Sequence, residues 1–191
     1  MKMEQIRKYF EQTIQLTDKD WVFFSSKLIR QEFPKKQLLL KIGQTENYLS
    51  FIETGIIRFY IPKDENELTF DFVFDNDFMS GYSSFLTQTP ATYQIEALTN
   101  TTLWRLTYKD LQAVYNETEI GNIIGRQASE SLFIEKAKRE LSLLNDTAEQ
   151  RYLNLFTEQP KLIKQIPLKY IASYIGITPQ ALSRIRKRIT K

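Results

Sequence analysis

Residues 166–189 read IPLKYIASYIGITPQALSRIRKRI, and their spacing decides how the C-terminal part folds. Leu168, Ile171, Ala172 and Ile175 fall three or four apart and share one face of a helix. Gly176 follows at once, a residue that takes positive φ without steric cost and so ends a helix and turns the chain. Ile177 plugs the corner. Thr178 is placed to cap a second helix with its hydroxyl, and Pro179 suits the first helical position, where no N–H is needed. Leu182, Ile185 and Ile189 form the inner face of that second helix. Its outer face carries Gln180, Ser183, Arg184, Lys187 and Arg188. A small residue at the crossing (Ala172) and a glycine in the turn let two helices cross steeply. This spacing predicts a helix-turn-helix, whose second helix stands proud enough to enter a DNA major groove.

A structural helical hairpin with a solvated basic face would share the same punctuation. Charge separates the two readings. From Pro160 to Lys191 there are eight Lys/Arg and no Asp or Glu. The whole chain has 26 basic and 23 acidic residues, so the rest carries 18 against 23, a net −5 beside a +8 tail. A basic module on an acidic body predicts a polyanion partner, here double-stranded DNA.

Composition removes other function classes. With 191 residues the chain suits one domain and a smaller one. It has no Cys and no His. That excludes a disulfide framework, thiolate metal sites, the usual zinc and haem ligands and the Ser-His-Asp triad. A cupin-type metal oxygenase would need a His-rich triad. The chain is therefore expected to be no enzyme and to carry no cofactor or metal. It has no run of 18 apolar residues, and MKMEQIRKYFEQ lacks an apolar signal core, so a cytoplasmic protein without a membrane partner is expected.

Upstream the periodicity changes twice. Residues 3–29 read as helix, with a stripe of Ile6, Tyr9, Phe10 and Ile14. Thr17 is placed to cap a second segment in which Trp21, Phe24 and Leu28 face inward. Short strands with period two then follow over 37–42, 47–53, 56–61, 67–74, 92–98 and 103–107. Turn residues such as Gly43, Gly55, Pro62–Asn66 and Asp75–Asp77 separate them. Many short strands with frequent turns predict a closed β-roll or jelly roll, able to hold one small ligand. Residues 108–115 read as helix. A longer helix over 117–144 carries an apolar seam of Ile120, Ile123, Ile134, Ala137, Leu141 and Leu144. At 1.5 Å per residue it would reach about 42 Å, more than a small roll can cover, so a second copy of the chain is the expected partner. Residues 148–158 are a further helix, ended by Pro160.

A β-roll, a long helix and a C-terminal helix-turn-helix together resemble the Crp/Fnr family of bacterial transcription regulators. The resemblance covers nearly the whole chain. Its most specific parts are Asp77–Gly81 (DFMSG), Ile171–Arg184 (IASYIGITPQALSR) and Thr147–Tyr152 (TAEQRY). It implies an α+β fold: a double-stranded β-helix sensor domain over 1–115, a dimerisation helix over 116–145 and a helix-turn-helix domain over 146–191. It implies a dimeric, sequence-specific DNA-binding regulator acting on a pseudo-palindromic site. Thr178, Gln180, Ser183, Arg184, Lys187 and Arg188 would face DNA, with Lys191 adding a phosphate contact. Ile123, Ile134, Ala137 and Leu141 would form the dimer seam. RNA polymerase and an uncharged small-molecule effector are further partners that it allows. The alternative is a cyclic-nucleotide-like sensing module that regulates a partner protein.

The chain departs from the family pattern in two places. Cyclic-nucleotide-binding members place Gly-Glu at the pocket motif and Arg-Ser or Arg-Thr about ten residues later. Here those positions are Ser80-Gly81 and Ala91-Thr92, and no charged residue occurs between Asp77 and Glu96. A buried phosphate would lack its counter-charge. The expected pocket is instead hydroxyl-rich and aromatic: Ser80, Gly81, Tyr82, Ser83, Thr92 and Tyr93. Its ligand is expected to be neutral, or absent. The family's β-hairpin wing is also expected to be missing, since the sequence ends two residues past Ile189.

Overall fold

The computed structural model describes residues 3–64 and 67–189. Part of the predicted 62–66 turn, and Lys191, lie outside the described residues. Two helices open the chain, α1 (Glu4–Glu11) and α2 (Asp18–Ser26). Thr17 caps α2 as its sequence predicts, its hydroxyl accepting from the Asp20 N–H at 3.1 Å.

Eight strands follow, interrupted once: β1 (Ile29–Phe33), β2 (Leu38–Leu40), β3 (Tyr48–Thr54), β4 (Ile56–Ile61), β5 (Leu68–Phe74), β6 (Phe78–Met79), the short helix α3 (Tyr82–Thr87), β7 (Gln94–Ala97) and β8 (Thr101–Thr107). They form two four-stranded sheets, ordered β1-β8-β3-β6 and β2-β7-β4-β5. The pairing of β3 with β8 is antiparallel and sets Phe51 opposite Trp104. Alternation along β3 and β8 then sorts side chains by face. Leu49, Phe51, Trp104 and Leu106 pack with Ile6, Phe10 and Phe24 of the opening helices. Tyr48, Ser50, Leu103 and Arg105 fall on the opposite face.

Four further helices complete the body and its continuation: α4 (Tyr108–Glu117), α5 (Gly121–Asn145), α6 (Ala148–Glu158) and α7 (Pro160–Gln165). The helix-turn-helix is α8 (Leu168–Tyr174) and α9 (Pro179–Ile189). The residues divide into two compact units, Met1–Phe59 with Phe72–Glu130, and Tyr60–Asp71 with Ser131–Lys191. No described helix is long and apolar enough to cross a membrane.

Five elements differ from the sequence reading. β1 carries only one buried residue, Phe33, so it shows no alternation to read. β6 has two residues. The stretch read as a pocket wall contains α3, which is too short for helical periodicity to show. α6 spans Ala148–Glu158 and stops before Pro160 as read, but Pro160 also starts a further short helix, α7, as its first residue, the position that proline favours. The long helix begins at Gly121 rather than 117, because α4 runs on to Glu117 and the Thr118 hydroxyl accepts from the Gly121 N–H at 3.0 Å. Its 25 residues span about 38 Å.

Candidate nucleic-acid interface

The two C-terminal helices meet through Ile171, Ala172, Ile175, Leu182 and Ile185, all under 8% exposed. Gly176 has φ +78°, the left-handed turn that the sequence assigns to it. The Ile177 N–H donates to the Ala172 carbonyl at 2.9 Å and the Gly176 N–H to Ser173 at 3.1 Å, closing the end of α8. Thr178 Oγ1 accepts from the Ala181 N–H at 3.2 Å and caps α9. Two expected inner-face residues are only partly covered: Leu168 is 43% and Ile189 37% exposed. Each sits at the far end of its helix, beyond the crossing.

Gln180, Ser183, Arg184, Lys187 and Arg188 are all exposed, as is Thr178. They lie along one side of α9, opposite Leu182 and Ile185. Gln180 and Arg184 are one helical turn apart. Arg188 forms an ion pair with Glu149, in the first turn of α6.

Arginines outside the motif hold it in place. Arg139 Nη2 donates to the Tyr174 carbonyl at 2.8 Å, and its guanidinium lies 3.8 Å from the centre of the Tyr174 ring. Arg151 Nε donates to the Ile175 carbonyl at 2.9 Å and Nη1 to the Asp146 carbonyl. Both satisfy carbonyls that the end of α8 leaves open. Burial pushes the Tyr174 phenol up, against the pull of Arg139. In the same unit, Ser173 Oγ accepts from the Thr69 N–H and donates to the Glu67 carbonyl, both at 2.7 Å, and Lys136 pairs with Asp71.

The expected pocket residues line neither of the two described cavities. Ser80 Oγ donates to the Tyr48 carbonyl at 2.9 Å. Gly81 is buried at the start of α3. Tyr82 stacks on Phe85, and its hydroxyl lies 3.3 Å from Ser129 Oγ. Ser83 and Thr92 are exposed, and Tyr93 lies against Phe59. Two cavities lie elsewhere. One of about 300 Å³ is lined by Lys19, Val22, Phe23 and Glu117. The other, of about 440 Å³, is lined by Arg139, Leu141, Arg151 and Tyr174.

The roll does hold a buried charge pair that sequence reading missed. Glu46 and Arg105 are 4% and 8% exposed, with Arg105 Nη2 3.8 Å from Glu46 Oε1. Burial pushes the Glu46 carboxyl up, outweighing the Tyr48 amide, Arg105 and the Gly81 and Asn47 amides, which favour the charged form. Burial likewise lowers Arg105 despite Glu46. For both groups desolvation exceeds the attraction across 3.8 Å.

Residues 30–118 match the cyclic nucleotide-binding domain family. Among solved structures, a Crp/Fnr-family protein of Eubacterium rectale superposes with a TM-score of 0.73 at 18% identity, covering 96% of this chain and 88% of that one. The chain has the Crp/Fnr fold. The c-di-GMP-responsive global regulator CLP of Xanthomonas campestris gives 0.69 at 16% identity, covering 91% and 92%. A regulatory domain of Toxoplasma gondii PKA, solved with cAMP, gives 0.51 at 18% identity over 58% of this chain and 43% of that one. No curated protein matches the sequence.

Gly81 stands at the position where the family pattern has its pocket glutamate, and it is closely surrounded. A Cβ at Gly81 would lie 2.7 Å from Leu40 Cδ2 and 3.3 Å from Glu46 Cβ. A side chain there would require Leu40 to shift, and a carboxylate approaches from residue 46 instead. On the long helix α5, Ile134, Leu141 and Leu144 are 66%, 58% and 75% exposed, and Phe133, absent from the sequence reading, is 73% exposed. Its spacing of four from Ala137 was the signal that would have found it. Ile123 is 39% exposed and Ala137 half-buried.

Proposed function

We propose that the chain is a homodimeric, sequence-specific DNA-binding transcription regulator of Crp/Fnr type. Its sensor domain comprises 1–115, its dimerisation helix 116–145 and its DNA-binding domain 146–191. The observation that carries this reading is α9: a buried apolar inner face fixes the helix, and an exposed outer face presents Gln180, Ser183, Arg184 and Lys187. Glutamine suits adenine, and arginine suits guanine O6 and N7 in a bidentate pair. Lys187 and Arg188 lie further along and would meet phosphate, Arg188 after exchanging its Glu149 partner. The exposed seam of Phe133, Ile134, Leu141 and Leu144 supports a second copy as the cover for α5.

The roll is not a cyclic nucleotide receptor in this reading. The pocket motif, Ser80-Gly81 and Ala91-Thr92, lacks the family's Glu and Arg, and the nearby Glu46 carboxylate would repel a phosphate. Calorimetry with cyclic AMP should show no saturable binding tighter than about 10 μM. The match to a PKA regulatory domain supports a second reading, a ligand-sensing module acting on a partner protein. That reading leaves the outer face of α9 without a role. The deciding experiment is titration of duplexes selected from a random pool at several salt concentrations. Enrichment of a pseudo-palindromic site, with affinity falling steeply as salt rises, supports DNA recognition. Failure to enrich any sequence leaves the module reading.

A further inference from the structure

Glu46 lies in the loop between β2 and β3, beside the start of α3. The loop is zipped to α3 and the turn after it. The Glu46 N–H donates to Ser84 Oγ at 3.0 Å, Ser84 donates to the Thr89 carbonyl, and Thr45 bridges to Pro90. The carboxylate accepts from the Tyr48 N–H at 3.0 Å and faces the Gly81 amide at the start of α3. Opposite stands Arg105, with its guanidinium 3.7 Å from the centre of the Tyr48 ring and 5.4 Å from that of Phe33. Arg105 Nη1 donates to Gln31 at 2.9 Å. Its buried Nε has no hydrogen-bond partner among the described residues.

These groups make an anion site: a buried guanidinium with an unused donor, backbone amides beside it, and aromatic walls. A buried arginine is costly unless an anion meets it. At 3.8 Å Glu46 supplies charge without a hydrogen bond to the guanidinium. We propose that the roll is self-liganded: the Glu46 carboxylate occupies an anion site formed by Arg105 and the amide at the start of α3, standing where a small carboxylate effector would bind. The site then needs no effector to be filled, and removing the Glu46 side chain opens it to free carboxylates.

The inference deepens the reading of the roll as a sensor-type domain, and its readout is thermal stability without DNA. Its failure therefore leaves the helix-turn-helix reading untouched. Glu46→Ala should lower Tm by about 6–12 °C, the loss expected from breaking a buried pair in a chain of this size. Formate or acetate should restore most of that loss in a saturable way, and equal concentrations of chloride should not. The wild type should show no such saturable effect, and Arg105→Met in the Glu46→Ala background should abolish the rescue. Glu46→Gln, which keeps the shape, should be destabilised and unresponsive. If Glu46→Ala is insoluble, refolding yield with and without formate replaces Tm. An Ala variant as stable as the wild type, one indifferent to carboxylates in either assay, or saturable formate binding by the wild type would each overturn the proposal.

Discussion

The helix α9 and the interior of the roll treat charge in opposite ways. α9 keeps Arg184 and Lys187 in water and buries only Leu182 and Ile185 beneath them. The roll buries Glu46 and Arg105 and sets each against the other, a backbone amide or an aromatic ring. Exposed cations cost little and stay available to a polyanion. Buried charges are expensive, so they must be satisfied from within the chain. One region leaves its charges open to solvent, and the other already holds its counter-charge.

The comparison breaks most visibly if the apolar floor under α9 is lost. Ile171→Asp buries a carboxylate at a fully covered position. It should cost more than about 4 kcal/mol, removing α8 and α9 as a folded pair and DNA binding with them. Urea unfolding followed by circular dichroism checks this, and a folded variant that still binds DNA would contradict it. Next in size is Leu141→Glu or Ile134→Glu on the exposed seam. Either should weaken the dimer by about 2–4 kcal/mol, because a charge would be pressed against an apolar copy. Light scattering should then fall from about twice 22.6 kDa to the mass of a single chain. The smallest effect belongs to Lys187→Ala. It should weaken all duplexes alike and lower the salt slope by about one, as the loss of one phosphate contact does.

The same contrast explains what was legible in sequence. The helix-turn-helix is contiguous: Ile171, Ala172, Gly176, Thr178, Leu182 and Ile185 act on near neighbours, so helical spacing and turn chemistry suffice to place them. The strands of the roll were legible where one face is buried and one is not, and β1 was not because only Phe33 is covered. The anion site is assembled from Gln31, Glu46, Gly81 and Arg105, which are far apart in sequence and meet only in the folded roll. No local period marks Glu46 or Arg105. The stretch between Asp77 and Glu96 contains no charge, because the carboxylate enters from the loop between β2 and β3. Arg139 and Arg151 escaped for the same reason, since the carbonyls they cap are 35 and 24 residues away.

The central claim is that the outer face of α9 reads base edges, and Arg184→Ala tests it most directly. Wild type and variant would be titrated on the selected duplex and on a scrambled one, at several salt concentrations. The account predicts a loss of about 1–3 kcal/mol on the selected site only, with preference flattened at one base pair and the salt slope nearly unchanged. An equal loss on both duplexes would make Arg184 a phosphate contact, and no loss on either would make the hairpin a structural element alone.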